Sequence, residues 1–186
     1  TMMKELLEKN WLPYGYTSKS HEQQTYNQAE DILLSYAQNV LETRPETIAI
    51  ETPFNFWLGK LKVGGRIDRI DRLADGRIEI IDYKTGKNVP TANKVKEDLQ
   101  LSLYALAATE VKDAIFGKQP EEIVLTLHYL EDNIRLSTTR SREALDFAKE
   151  QILKKTEEIT TSSFLCSSSI LCKNCEYNML CQTNKA

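Results

Sequence analysis

Two carboxylates and a lysine are spaced so that a pair of neighbouring strands would bring them together. Asp68 closes the run Gly65-Arg66-Ile67-Asp68, and fourteen residues after it begins Asp82-Tyr83-Lys84-Thr85-Gly86. Arg77 to Lys84 has the short, β-branched apolar character of a buried strand. Leu61 to Leu73 reads as a second strand, and Ala74-Asp75-Gly76 supplies a hairpin turn between them. A hairpin sets Asp68 near Asp82, while Lys84, two residues on, shares the face of Asp82. Converging carboxylates suit a hard cation such as Mg²⁺, bound through oxygen. A lysine beside them can orient or deprotonate a water and stabilise negative charge on a phosphate. These are the groups that metal-dependent phosphodiester hydrolysis requires. The plainer alternative is that Asp68 pairs with Arg66 or Arg69 on a solvated sheet edge.

The elements that must hold these residues follow from periodicity. Residues 20–41 predict an amphipathic helix, with Ala29, Leu33, Tyr36, Ala37 and Val40 at helical spacing. Strands are expected at about 47–58, 60–72 and 77–84, then a loop at Asn88-Val-Pro-Thr and a helix over about 93–111. Ile123 to Leu130 predicts a strand, and Asn133 to Thr139 a partner for it. Ser141 is expected to open a long helix as a capping box, with Ala144, Leu145, Ala148, Ile152 and Ile159 facing inward. The order βββαβ with helices around it predicts an α+β fold, a mixed central sheet flanked by helices.

With these residues in view, the sequence resembles the PD-(D/E)XK nuclease superfamily in its RecB-like branch. It is similar above all to the C-terminal nuclease domain of bacterial UvrD/Rep-type helicases. The resemblance rests on Gly65 to Asp71, Ile80 to Gly86, Asp98 to Ala107 and the tail Cys172-Lys-Asn-Cys175 with Cys181, and it covers about residues 45–182. It implies a restriction-endonuclease-like sheet. It also implies that Asp68 and Asp82 are ligands to Mg²⁺ or Mn²⁺, that the Tyr83 carbonyl is a third, and that Lys84 is the catalytic lysine. Gln100 and Tyr104 match the family's Gln-Xaa-Xaa-Xaa-Tyr motif, which borders the site and helps place DNA; residues four apart share a helix face. The alternative for that pair is an ordinary amphipathic helix whose core stripe is Leu99, Leu103 and Leu106. Glu51, ahead of a strand-like run, is a candidate further carboxylate.

RecB-like nucleases also carry an upstream Gly-Xaa-Xaa-Xaa-His motif and usually an early cysteine, and neither is here. His21 follows Ser-Lys-Ser and reads as the polar start of a helix, while His128 lies within a strand and reads as structural. The chain is therefore expected to be a fragment, cut after the helix that bears the histidine. The tail holds four cysteines, Cys166, Cys172, Cys175 and Cys181, within sixteen residues. No signal peptide or long apolar run precedes them, so a reducing cytoplasm is expected, where clustered thiolates are more often metal ligands than disulfides. The resemblance implies a [4Fe-4S] cluster on Cys172, Cys175 and Cys181 with a fourth cysteine elsewhere. A zinc site that includes Cys166 is the alternative, and adventitious surface thiols are the plain reading.

At 186 residues the chain is expected to be one nuclease domain, with residues 164–182 as its metal-binding tail. A net charge of -3 is not that of a typical nucleic-acid binder, although a local basic footprint matters more than the total. Arg66, Lys84, Lys87, Lys94 and Lys96 gather around the expected site and can meet phosphates. The partners this implies are DNA and the helicase portion of a longer polypeptide, with no membrane. Two other classes compete: a catalytically inactive DNA-binding or scaffolding module of the same fold, and a cysteine-bound metal module for protein contacts.

Overall fold

Five strands make one sheet in the order β1-β2-β3-β4-β5. They are β1 (Glu46–Leu58), β2 (Leu61–Arg72), β3 (Ile78–Lys84), β4 (Ile123–Tyr129) and β5 (Ile134–Thr138) in a computed structural model that describes residues 2–163 and 170–181. Helices α1 (Met2–Asn10) and α2 (Lys19–Thr43) precede the sheet, α3 (Ala92–Lys96) and α4 (Leu99–Glu110) join β3 to β4, and α5 (Arg142–Thr161) follows. The chain forms two compact units, Thr1–Lys149 and Glu150–Ala186.

Turn chemistry sets the topology. Gly59-Lys60 closes the β1–β2 hairpin, with Gly59 at φ 61°. Gly76, at φ 88°, closes the β2–β3 hairpin, its N–H donating to the Leu73 carbonyl at 2.9 Å. β3 and β4 run parallel, which demands a crossover, and α3 and α4 supply it. The β-branched runs of β2, β3 and β4 fill the interior, where Ile67, Ile70, Ile80, Ile81 and Leu125 are fully buried. The result is the mixed, helix-flanked α+β sheet that the sequence predicts.

Several local expectations are corrected. The single helix expected over 93–111 is two, because Asp98 is extended and its carboxylate caps α4 by accepting from the Leu101 N–H at 2.8 Å. Of the expected α4 core stripe, Leu106 is buried while Leu99 and Leu103 are only half-buried; Leu101, Tyr104, Ala105, Ala107 and Ala108 are buried as well, as in a helix apolar nearly all round. Ser141 does cap α5, its hydroxyl accepting from the Ala144 N–H at 3.2 Å. With alanine at that third position, the reciprocal limb of a capping box is missing. Leu145, Ala148 and Ile152 are buried, but Ile159 is 59% exposed. No described helix is long and apolar enough to cross a membrane.

Candidate active site

The site lies where two strands part. β2 and β3 pair from Arg72↔Ile78 to Arg69↔Ile81 and no further, after which β2 continues paired with β1 alone. At that fork the Tyr83 N–H donates to the Asp68 carboxylate at 2.9 Å, so the acid is fixed by the neighbouring strand's backbone. Extending the register by one step sets Asp68 across from Asp82.

Asp82 is 3% exposed. Its Oδ1 accepts from Gln100 Nε2 at 2.8 Å and from the Tyr104 hydroxyl at 3.1 Å. Lys84 Nζ forms an ion pair with Asp82 Oδ2 at 2.7 Å. Apart from that ion pair, the oxygen is buried with no hydrogen-bond partner among the described residues. Lys84 donates to Gln100 Oε1 at 2.7 Å, and Gln100 also donates to the Tyr104 hydroxyl at 2.8 Å. Gln100 thus spans base, acid and phenol. Burial first, and then the charge of Asp82, pushes the Tyr104 phenol well above its ordinary range, so it stays a donor.

Three supports hold this arrangement. The Asp98 cap fixes the start of α4, and the buried Arg140 donates to Ser102 Oγ at 2.9 Å and to the carbonyls of Val95 and Asp98 at 3.1 and 3.0 Å. Burial lowers the Arg140 pKa from its usual value. At the other end, Gly86 at φ 106° donates to Glu131 Oε1 at 3.0 Å, and the Leu130 N–H donates to the Lys84 carbonyl at 3.0 Å. The Asp98 cap had a readable signal, a cap-type residue just before an apolar run. Arg140 had none, since the partners that tie it to α3 and α4 are the carbonyls of Val95 and Asp98 and the Ser102 hydroxyl, all distant in sequence.

The remaining expected residues fall in different places. Glu51, at φ 47° on β1, is exposed and sits level with Asp68, but its carboxylate faces Arg66 at 3.5 Å. Arg69 donates through Nε and Nη2 to the two oxygens of Asp71, 2.7 Å each. The arginines offered as partners for Asp68 are thus both engaged elsewhere. Lys87, Lys94 and Lys96 are exposed. His128 is buried and bonded through Nε2 to Asn133 Oδ1 at 2.8 Å, and His21 is exposed and meets Thr17 Oγ1 at 3.1 Å. Cys172, Cys175 and Cys181 lie along a short 3-10 helix (Ile170–Asn174) and the turns after it, whereas Cys166 lies outside the described residues.

Among the described residues, no three of His, Cys, Asp and Glu gather into a metal-binding set. Two carboxylates do meet at the fork, and Mg²⁺ characteristically takes one or two of them and completes its shell with water and phosphate. A buried Asp82 oxygen lacking a hydrogen bond is the acceptor such a cation would satisfy. The donor set therefore fits a hard divalent ion. The described cysteines do not form a converged set.

The sequence profile of the PD-(D/E)XK nuclease superfamily matches residues 1–182. The chain is similar to the Gene 69 protein of Mycobacterium phage L5, 29% identical over 121 residues, which is 65% of this chain and 38% of that protein. It is also similar to one subunit of the ATP-dependent helicase/deoxyribonuclease of Streptococcus mutans, 34% identical over 125 residues, 62% of this chain and 11% of that polypeptide. Aligned segments thus span well under half the length of either relative. The crystal structure of SSO0001 superposes with a TM-score of 0.47 at 16% identity, covering 100% of this chain and 96% of the other. The profile match spans most of the sequence, and so this chain belongs to the PD-(D/E)XK nuclease superfamily.

Proposed function

We propose that this chain is a Mg²⁺- or Mn²⁺-dependent DNA nuclease domain, RecB-like and attached in its parent to a UvrD/Rep-type helicase. The observation that carries the reading is the fork, where a buried Asp82 oxygen without a hydrogen bond lies 2.7 Å from Lys84 and one strand across from Asp68. Asp68 and Asp82 would hold the cation, with the Tyr83 carbonyl as a third ligand. The bound ion would polarise the scissile phosphate and make a coordinated water more acidic. Lys84 orients that water and offsets charge on the phosphate. Gln100 bonds to both Lys84 and Asp82 and fixes their relative position, and Tyr104 keeps one Asp82 oxygen occupied. The similarity to part of a helicase/deoxyribonuclease supports a role in DNA end processing during recombination or repair. Clustered thiolates support metal in the tail, and the family resemblance favours an iron–sulfur cluster on Cys172, Cys175 and Cys181 with a fourth cysteine elsewhere over a zinc site that adds Cys166. Iron, sulfide and zinc analysis of the purified protein decides that point.

One observation favours a second reading, a DNA-binding module without turnover: only two carboxylates meet at the fork among the described residues. Degradation of end-labelled single- and double-stranded DNA with Mn²⁺, for the wild type and Asp82→Ala, separates the two. Cleavage that disappears in the variant supports the nuclease. Cleavage equal in both proteins, or absent from both while DNA is still bound, overturns it.

A further inference from the structure

Beyond the fork, β1 and β2 run on together as a two-stranded arm, from Thr52↔Ile67 out to Leu58↔Leu61. Its two faces are unlike. Phe54, Phe56, Val63 and Ile67 turn inward, and Phe54 and Tyr104 meet edge to face at 6.0 Å. Gly65 lies under that ring, where an added Cβ would come 2.8 Å from Phe54 Cζ. The outward face carries Pro53, Asn55, Trp57, Lys62 and Arg66, all exposed, with Gly64 between them.

Trp57 is 64% exposed and pairs across the arm with Lys62. Lys60 sits beside them in the turn. Residues 52–67 contain Lys60, Lys62 and Arg66 and not one Asp or Glu; Arg66 is paired with Glu51 at the base of the arm, which leaves Lys60 and Lys62 as its cations in a chain whose total is -3. Charge is therefore concentrated on the arm against the trend of the molecule. The face is also directional: it starts at an exposed indole and ends at Arg66, two residues from Asp68. Such a combination of a flat aromatic surface and flanking cations is what binds unpaired nucleic acid, because every base offers a face for stacking and every linkage a charge.

We infer that the arm's outward face is a binding track for single-stranded nucleic acid, with Trp57 stacking on a base and Lys60 and Lys62 meeting phosphates, delivering the strand to the fork. This rests on the nuclease reading for its purpose, but its test does not need turnover. The whole protein carrying Trp11→Phe, so that Trp57 is the sole indole, is titrated in EDTA with a short oligodeoxythymidylate while tryptophan emission is followed. The expected result is quenching on binding. Trp57→Ala, read by anisotropy of a labelled oligonucleotide, should bind about 10- to 100-fold more weakly. Lys60→Ala with Lys62→Ala should lessen the slope of log affinity against log salt by about 1.4, about 0.7 for each phosphate no longer neutralised.

Undiminished binding by Trp57→Ala overturns the inference, as does a preference for blunt duplex that survives the substitution. Emission that ignores the oligonucleotide and shifts with protein concentration would show a second copy seated on the arm, and overturns it too. A protein that binds through Trp57 yet never cleaves DNA contradicts the nuclease reading while supporting the track.

Discussion

β2 and β3 present two polar surfaces made by adjacent residues, and the two are built to opposite rules. On one face Asp68, Asp82 and Lys84 meet with a buried carboxylate oxygen left without a hydrogen bond. On the other, Arg69, Asp71, Tyr83 and Glu79 each hydrogen-bond to side chains around them. Arg69 holds both oxygens of Asp71 and donates to the Tyr36 hydroxyl at 2.8 Å, while Thr47 Oγ1 donates to Asp71 at 2.8 Å. Tyr36 and Tyr83 share a 2.7 Å hydrogen bond, and burial first, then this bond, pushes the Tyr83 phenol up to about 12. Glu79 accepts from Thr126 and from Arg135, at 2.5 and 2.8 Å. Buried charge alone therefore does not distinguish the two surfaces. What differs is the carboxylates: those of Asp71 and Glu79 accept hydrogen bonds from the side chains around them, whereas Asp82 Oδ2 has only the Lys84 ammonium beside it and can still accept a cation.

Substitutions on each surface should separate stability from activity. Arg69→Met strands Asp71, 3% exposed, with Thr47 alone and is expected to cost about 3–5 kcal/mol in urea unfolding, with cleavage per folded molecule unchanged. A large activity loss at full stability would place Arg69 in the site instead. Gln100→Ala is the converse, lowering DNA cleavage about 10- to 100-fold while costing about 1 kcal/mol of stability, read from kcat and denaturation together. Equal loss in both quantities would reduce Gln100 to a packing residue.

A smaller effect belongs to His128. Burial first holds its pKa below the ordinary histidine value, although the bond to Asn133 opposes this. The folded protein therefore binds fewer protons than the unfolded chain in mild acid, and stability is full above about pH 6.5 and falls as pH drops below it. His128→Gln cannot take the proton. The fall in Tm between about pH 7 and about pH 5 should be shallower in the variant, with cleavage at neutral pH unaltered. Parallel Tm profiles would show that His128 contributes nothing to acid lability.

The order of strands, the Gly76 hairpin and the meeting of Asp68, Asp82 and Lys84 were legible because period-two patterning and a turn leave little freedom of register. The division of α3 from α4 was missed because apolar spacing runs smoothly through Glu97 and Asp98, and only the cap ends one helix and starts the next. Nothing in the sequence marked Arg69 and Asp71 as partners with each other, since both also fit a solvated strand edge. Glu51 was read as a carboxylate ahead of a strand, and the strand itself, with Glu51 at φ 47°, turns it toward Arg66. Side-chain direction at such a kink follows from backbone geometry that composition does not encode.

The most direct measurement is calorimetric titration of Mn²⁺ into the wild-type protein and Asp82→Asn, alongside the Tm of each without metal. The amide keeps the shape and the contacts to Gln100 and Tyr104 while removing the charge. The expected outcome is Mn²⁺ binding that weakens by about 100-fold or more in Asp82→Asn, with a metal-free Tm no lower than that of the wild type. Equal Mn²⁺ affinity in the two proteins, or a variant that loses stability without losing metal, would contradict the assignment of the fork as the metal-binding centre.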